Sequence, residues 1–174
     1  MPAAEPALPH IHALYRHHHG WLVGLLRRRL GSSFDAADLA HDAFVRLIEK
    51  PRQFDSFDGA RAYLSTMARG LCTDLWRRRE IERAWLDALA AQPVPLAPSP
   101  EEHALVIEAL CAVDAMLRRL PAKAAQAFVL AQVQGLTYKA IAVELKVSER
   151  MVKKYMAQAM LECALVEAGF APER

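Results

Sequence analysis

The stretch YKAIAVELKVSERMVKKYMA, Tyr138 to Ala157, decides how the chain is read. Ile141 and Leu145 fall on one face of a short helix, and Ala142 is small where a partner helix must approach closely. Val147 sits in the turn, Ser148 can cap the next helix, and Val152, Tyr155 and Met156 form that helix's inner stripe. These pieces predict a helix-turn-helix. Glu149, Arg150, Lys153, Lys154 and Gln158 then project outward, and the N-terminal half of the second helix is what enters a major groove in this motif. Arginine and lysine there can donate to guanine or to phosphate, and glutamine can read adenine. A helix pair serving only as packing would leave both the basic face and the small residue unexplained. Lys146 stands at the turn position that usually holds glycine, where left-handed backbone costs a side chain roughly 1 kcal/mol.

Upstream of this motif, Pro121 precedes a helix carrying Ala124, Ala127, Phe128 and Ala131 and ending at Gly135. Before that, Ser99, Pro100 and Glu102 form a capping box with proline at the first helical position. The helix they open has an expected inner stripe of Leu105, Ala109, Val113, Met116, Leu117 and Leu120. Residues 92–100 read QPVPLAPSP. Proline fixes φ and removes backbone donors, so this stretch is expected to be an extended spacer reaching about 25 to 30 Å. It divides the chain into expected domains at 8–91 and 101–168. A long loop within one bundle is the alternative, and such loops are uncommon in compact domains.

In the first of these domains, Ile11, Leu14, Tyr15, His18, Leu22, Leu25, Leu26 and Leu30 keep the spacing of one buried helix stripe. Gly31 ends that helix. Asp35 is a plausible cap for a second, whose inner stripe is Ala40, Ala43, Phe44, Leu47 and Ile48. A polar connection, 49–58, leads to a long helix expected to be capped by Asp58. Its inner stripe is Ala60, Leu64, Met67, Ala68, Leu71 and Leu75. The opposite face carries Arg61, Ser65, Arg69, Thr73, Trp76 and Arg77, a mix of basic, hydroxyl and aromatic groups suited to phosphates and unstacked bases. No strand pattern occurs, so the expected fold class is all-α, two small helical domains on a proline-rich linker.

The chain has 174 residues, and its 22 Lys and Arg against 20 Asp and Glu leave a net charge of only +2. Bulk attraction to nucleic acid is therefore not expected, and local clusters must do the work. Such clusters exist at Arg27-Arg28-Arg29, Arg77-Arg78-Arg79, Arg118-Arg119 and Lys153-Lys154, although any one run also fits a solvated helix end. The three cysteines lack metal or redox spacing and read as small core residues in a reducing compartment. No apolar run reaches the about 20 residues of a membrane span, and no signal-peptide pattern opens the chain, so a cytoplasmic location is expected. His17, His18 and His19 are consecutive and point to different helix faces, which does not suit a shared metal. With no nucleophile motif or phosphate loop, the expectation is no enzyme, no cofactor and no metal.

DAADLAHDAFVRLIEK (35–50), ARAYLSTMARGLCTDLWRRRE (60–80) and LPAKAAQAFVLAQVQGLTYKAIAVELKVSERMVKKYMAQAM (120–160) together resemble the extracytoplasmic-function sigma factors. The branch they resemble is the FecI-like one, associated with iron starvation and ferric-siderophore uptake. The resemblance runs from about Leu14 to Cys163. It implies that the first domain is a sigma region two, which binds the polymerase beta-prime clamp and opens the minus-ten element. It assigns polymerase contact to Asp38, Leu39, Asp42 and Arg46, and minus-ten contact to Arg61, Tyr63, Thr66, Arg69, Trp76, Arg77 and Arg78. Tyr63 and Gly70 depart from the tryptophan and asparagine common in that family, and Tyr63 and Trp76 also fit core packing. The second domain is implied to be a region four, with minus-thirty-five contacts at Thr137, Ser148, Glu149, Arg150, Lys153, Lys154 and Gln158, and a further contact to the beta flap. The expected partners are core RNA polymerase, promoter DNA and a membrane-anchored anti-sigma regulator.

Two other readings compete. A stand-alone helix-turn-helix regulator would normally dimerise on a palindromic operator, and no dedicated dimer helix is evident beyond Ala164. A helical adaptor without a nucleic-acid role would be indifferent to loss of Arg150, Lys153 and Lys154.

Overall fold

The computed structural model describes residues 7–93 and 97–168. Among these, seven helices follow one another without a strand: α1 Ala7–Leu30, α2 Ser33–Glu49, α3 Phe57–Ala90, α4 Pro100–Arg119, α5 Ala122–Gln132, α6 Tyr138–Glu144 and α7 Glu149–Glu167. The all-α class expected from the sequence is what the chain adopts.

Contacts divide the chain into two compact units, Met1–Glu80 and Ile81–Arg174. That division falls inside α3, so the last turns of this helix belong with the second unit. Trp85 stacks on His103 with ring centroids 4.8 Å apart, and Glu82 Oε1 lies 3.4 Å from His103 Nε2. The end of α3 is thus packed against the start of α4. Of the spacer expected at 92–100, Val94, Pro95 and Leu96 lie outside the described residues.

The first unit is built on the expected stripes. Leu14, Leu22 and Leu26 of α1, Ala40, Ala43, Phe44 and Leu47 of α2, and Ala60, Leu64, Ala68 and Leu71 of α3 share one core. Full burial of each leucine stabilises the unit by about 1.5 to 3 kcal/mol. Three local expectations are corrected. Ser32, not Asp35, is the cap of α2, accepting from Asp35 N at 3.2 Å, while Asp35 sits in the first turn. Ser56 Oγ accepts from Gly59 N at 3.1 Å at the start of α3, so Asp58 is a first-turn residue and not the cap. Ile48 is 53% exposed, because the core-facing stripe of α2 closes at Leu47. Gly31 ends α1 at φ 72°, in the left-handed region that glycine enters without steric cost.

In the second unit α4 begins with the complete capping box. Ser99 N donates to Glu102 Oε2 at 2.8 Å, and Glu102 N donates to Ser99 Oγ at 3.2 Å. The expected inner stripe of α4 is only half realised. Met116 and Leu120 are buried, but Leu105 and Val113 are exposed, and Ile107 is the buried anchor of the first half. Downstream, Ala127, Ile141, Ala142, Val152 and Met156 form a second small core with Phe128, Leu145, Val147 and Tyr155 around it.

Candidate nucleic-acid and polymerase interfaces

The helix-turn-helix takes its shape from how α6 stops. Lys146 N donates to Val143 O at 3.2 Å and Val147 N to Ala142 O at 3.0 Å, the paired bonds of a Schellman ending. Lys146 has φ 52° and is the only described non-glycine residue with positive φ. Lys123 Nζ lies 3.4 Å from Leu145 O, placing a cation at the negative end of α6. Ser148 then caps α7 by accepting from Met151 N at 3.3 Å, and Thr137 caps α6 by accepting from Ala140 N at 3.3 Å. Both hydroxyls are exposed, and each keeps its own proton free to donate.

Val152, Met156 and Ala159 are buried on the inner side of α7. Arg150, Lys153, Lys154 and Gln158 are exposed on the other side. Glu149 and Lys153 are one turn apart and pair at 3.3 Å, so part of the cationic flank is neutralised within the helix. Arg150 and Lys154 are one turn apart as well, about 40° from each other around the axis. They form the free cationic edge.

On α3 the sequence-derived minus-ten set separates into groups. Arg69 and Trp76 are exposed on the outward side, Trp76 at 48%. Arg61 shares their side of the helix and lies over the Trp21 ring at 4.5 Å, which fixes its guanidinium against α1. Thr66 is exposed and its Oγ1 donates to Ala62 O at 3.2 Å. Arg77 is half-buried. Tyr63 is half-buried against the core, tilted on Phe54 at 5.5 Å with Arg52 over its ring at 5.0 Å. Arg78 is exposed, but two residues beyond Trp76 place it about 200° further round the helix, so it does not share that face. Arg52, Phe54 and Trp21 were not singled out from the sequence. Arg52 lies in an irregular segment where no periodicity points to it, and Trp21 belongs to a different helix.

On α2, Asp38, Asp42 and Arg46 are exposed. Leu39, expected with them, is buried in the first core, where it supports the helix. No group of three His, Cys, Asp or Glu among the described residues is placed to hold a metal ion. Burial raises the Cys72 thiol above its ordinary pKa, which makes it an unreactive core residue. No helix among the described residues is long and apolar enough to cross a membrane.

One helical unit thus carries a basic and aromatic helix face, and the other a helix-turn-helix presenting a cationic edge, both of them chemistry suited to nucleic acid. The family profile of Sigma-70 region 2 matches residues 14–82, and that of Sigma-70 region 4 matches residues 112–163. The chain is 44% identical over 153 residues to the ferric citrate uptake sigma factor FecI of Escherichia coli (strain K12), covering 88% of each chain. It is 30% identical over 139 residues to the "Probable ECF RNA polymerase sigma factor SigI" of Mycobacterium tuberculosis (strain CDC 1551 / Oshkosh), covering 76% of this chain and 47% of that one. The chain therefore belongs to the sigma-70 family, in its extracytoplasmic-function group. Such factors initiate transcription with core RNA polymerase on promoter DNA, and the catalytic chemistry is the polymerase's.

Proposed function

We propose that this sigma factor directs core RNA polymerase to promoters of iron or ferric-siderophore uptake genes. The name of the FecI relative supports that target class. In this reading α7 reads the minus-thirty-five element with Arg150, Lys153, Lys154 and Gln158, assisted by Thr137, Ser148 and Glu149. α3 holds the minus-ten strand with Arg61, Arg69 and Trp76 from its outward side and with Tyr63, Thr66, Arg77 and Arg78 from the flanking sides. Asp38, Asp42 and Arg46 meet basic groups of the beta-prime clamp, Leu39 serving from within the core, and the second unit touches the beta flap. Functional halves at 8–91 and 101–168, joined through 92–100, make promoter spacing part of recognition, since two weak readers gain effective concentration only when their sites are compatibly separated. The factor works in the cytoplasm and is controlled by a membrane-anchored anti-sigma regulator.

The observation that carries the DNA-reading part is the two-sidedness of α7: Val152, Met156 and Ala159 inside, a cationic edge outside. Run-off transcription with purified core polymerase on a promoter library tests the whole proposal. It should yield transcripts from promoters that share both elements and include iron-uptake genes. Transcripts no more abundant than core polymerase makes alone would defeat it.

A further inference from the structure

Arg61 rests on a ring, and Arg69 on the same outward side of α3 does not. The Arg61 guanidinium carbon lies 4.5 Å from the centroid of Trp21, and among the described residues no hydrogen bond or ion pair engages that guanidinium. The ring is itself firmly placed. Trp21 packs against the first core, and the buried His18 meets it edge-on with centroids 6.2 Å apart. Arg61 nevertheless stays exposed, so one side of its planar guanidinium is covered by the indole and the other is open to solvent. A side chain held in this way has already lost freedom that an untethered arginine gives up only on binding. Its open side is flat, and a guanidinium plane can take a nucleobase face to face as an aromatic ring does.

We propose that Trp21 and Arg61 form a two-layer stacking platform, on which one unstacked base of single-stranded promoter DNA lies against the open side of Arg61. This rests on reading Arg61 as a minus-ten contact and specifies its mode: Arg61 touches a base, and Trp21 is its positioning residue. A phosphate contact would need only a cation, which lysine supplies as well, whereas stacking needs the plane that arginine alone among the basic side chains provides. Every base has a π-face, so the platform holds the strand open without setting its sequence. In this arrangement α1 shares with α3 the work of holding the strand, through a ring that never touches it.

The test uses holoenzyme assembled from the full chain and core polymerase. Its probe is a promoter recovered by the run-off selection, prepared as a duplex with the non-template minus-ten stretch left single-stranded. Trp21→Leu and Arg61→Lys should each weaken binding about tenfold, within the range for loss of one stacked base, and Trp21→Tyr should restore most of it. The salt slope should be unchanged in Trp21→Leu, because no charge is lost. An abasic residue walked through the single-stranded stretch should cost the wild type about tenfold at one position and cost Trp21→Leu nothing further there. If no position separates the two proteins in that way, the platform is overturned. If Arg61→Lys binds as wild type while Arg61→Ala is weakened, the platform falls and the minus-ten reading of Arg61 stands as a phosphate contact. If Arg61→Ala also binds as wild type, both fall. A thermal midpoint equal to that of wild type shows that the fold is intact, and where Trp21→Leu lowers it, Arg61→Lys, at an exposed position, carries the same abasic comparison.

Discussion

Arg79 holds both carboxylate oxygens of Asp35 at 2.8 Å across a separation of 44 residues, tying the first turn of α2 to α3. The last arginine of the Arg77-Arg78-Arg79 run is thus structural, which separates it from the two beside it, for which DNA contact is proposed. The Arg79 hydrogen bond is the main cause, with Ser32 next, of a carboxyl held below its ordinary pKa. A depressed carboxyl contributes stability that is fully present above its ordinary value near 3.8 and is lost as pH falls through the folded value. Asp35→Asn should remove that component, so urea midpoints of wild type and variant should differ at pH 7 and converge at the acid end of the range. Midpoints that differ equally at both pH values would contradict the assignment.

His18 should make the first unit sensitive to mild acid. It is buried, its Nε2 lacks a hydrogen-bond partner, and its pKa is lowered by burial first and then by the nearby His17 and Arg61. Because the folded state favours the neutral ring, stability is present above the ordinary value of 6.5 and declines as pH falls through the lowered one. His18→Leu should flatten the thermal midpoint between pH 7 and pH 5. It should also raise stability, since an unsatisfied buried polar atom costs about 1 to 3 kcal/mol.

Arg150→Ala and Lys154→Ala should differ in kind. If Arg150 reads a base, its loss costs about 1 to 3 kcal/mol on the preferred minus-thirty-five duplex and relaxes preference at one position. If Lys154 contacts phosphate, its loss weakens all sequences alike and reduces the salt slope of binding by about one. Titrations of matched and scrambled duplexes at several salt concentrations distinguish the two.

Lys146→Gly should stabilise the second unit. Its φ of 52° lies in the left-handed region, where a Cβ costs about 1 to 2 kcal/mol and glycine costs little beyond its larger unfolded-state entropy. The net expectation is a gain of about 0.5 to 1 kcal/mol, read as a higher denaturation midpoint with unchanged promoter binding. A midpoint below that of the parent would show that the lysine side chain stabilises the turn.

The helix-turn-helix was legible because its determinants are local. The spacing of Ile141, Val152 and Met156, the cap at Ser148 and the anomalous lysine in the turn all lie within one short stretch. The start of α4 was legible for the same reason. Its first inner stripe was not: Leu105, Ala109 and Val113 keep helical spacing as well as any buried set, but Ile107 is the residue that is buried, and the partner that holds His103 is the distant end of α3. The caps of α2 and α3 were misassigned because Ser32 and Asp35, like Ser56 and Asp58, are both competent acceptors within three residues. Periodicity fixes which side of α3 faces outward. It does not reveal that Tyr63 leans on Phe54, or that Arg61 rests on Trp21.

If α7 reads DNA as proposed, the Glu149–Lys153 pair gives that helix a resident decoy. Its carboxylate occupies the ammonium group as a DNA phosphate would, so any duplex must displace an existing counter-charge before it gains that contact. Random nucleic acid, offering nothing else, recovers little by the exchange. A cognate site that also engages Arg150 and Gln158 recovers more, and discrimination begins with a bond the protein already makes to itself.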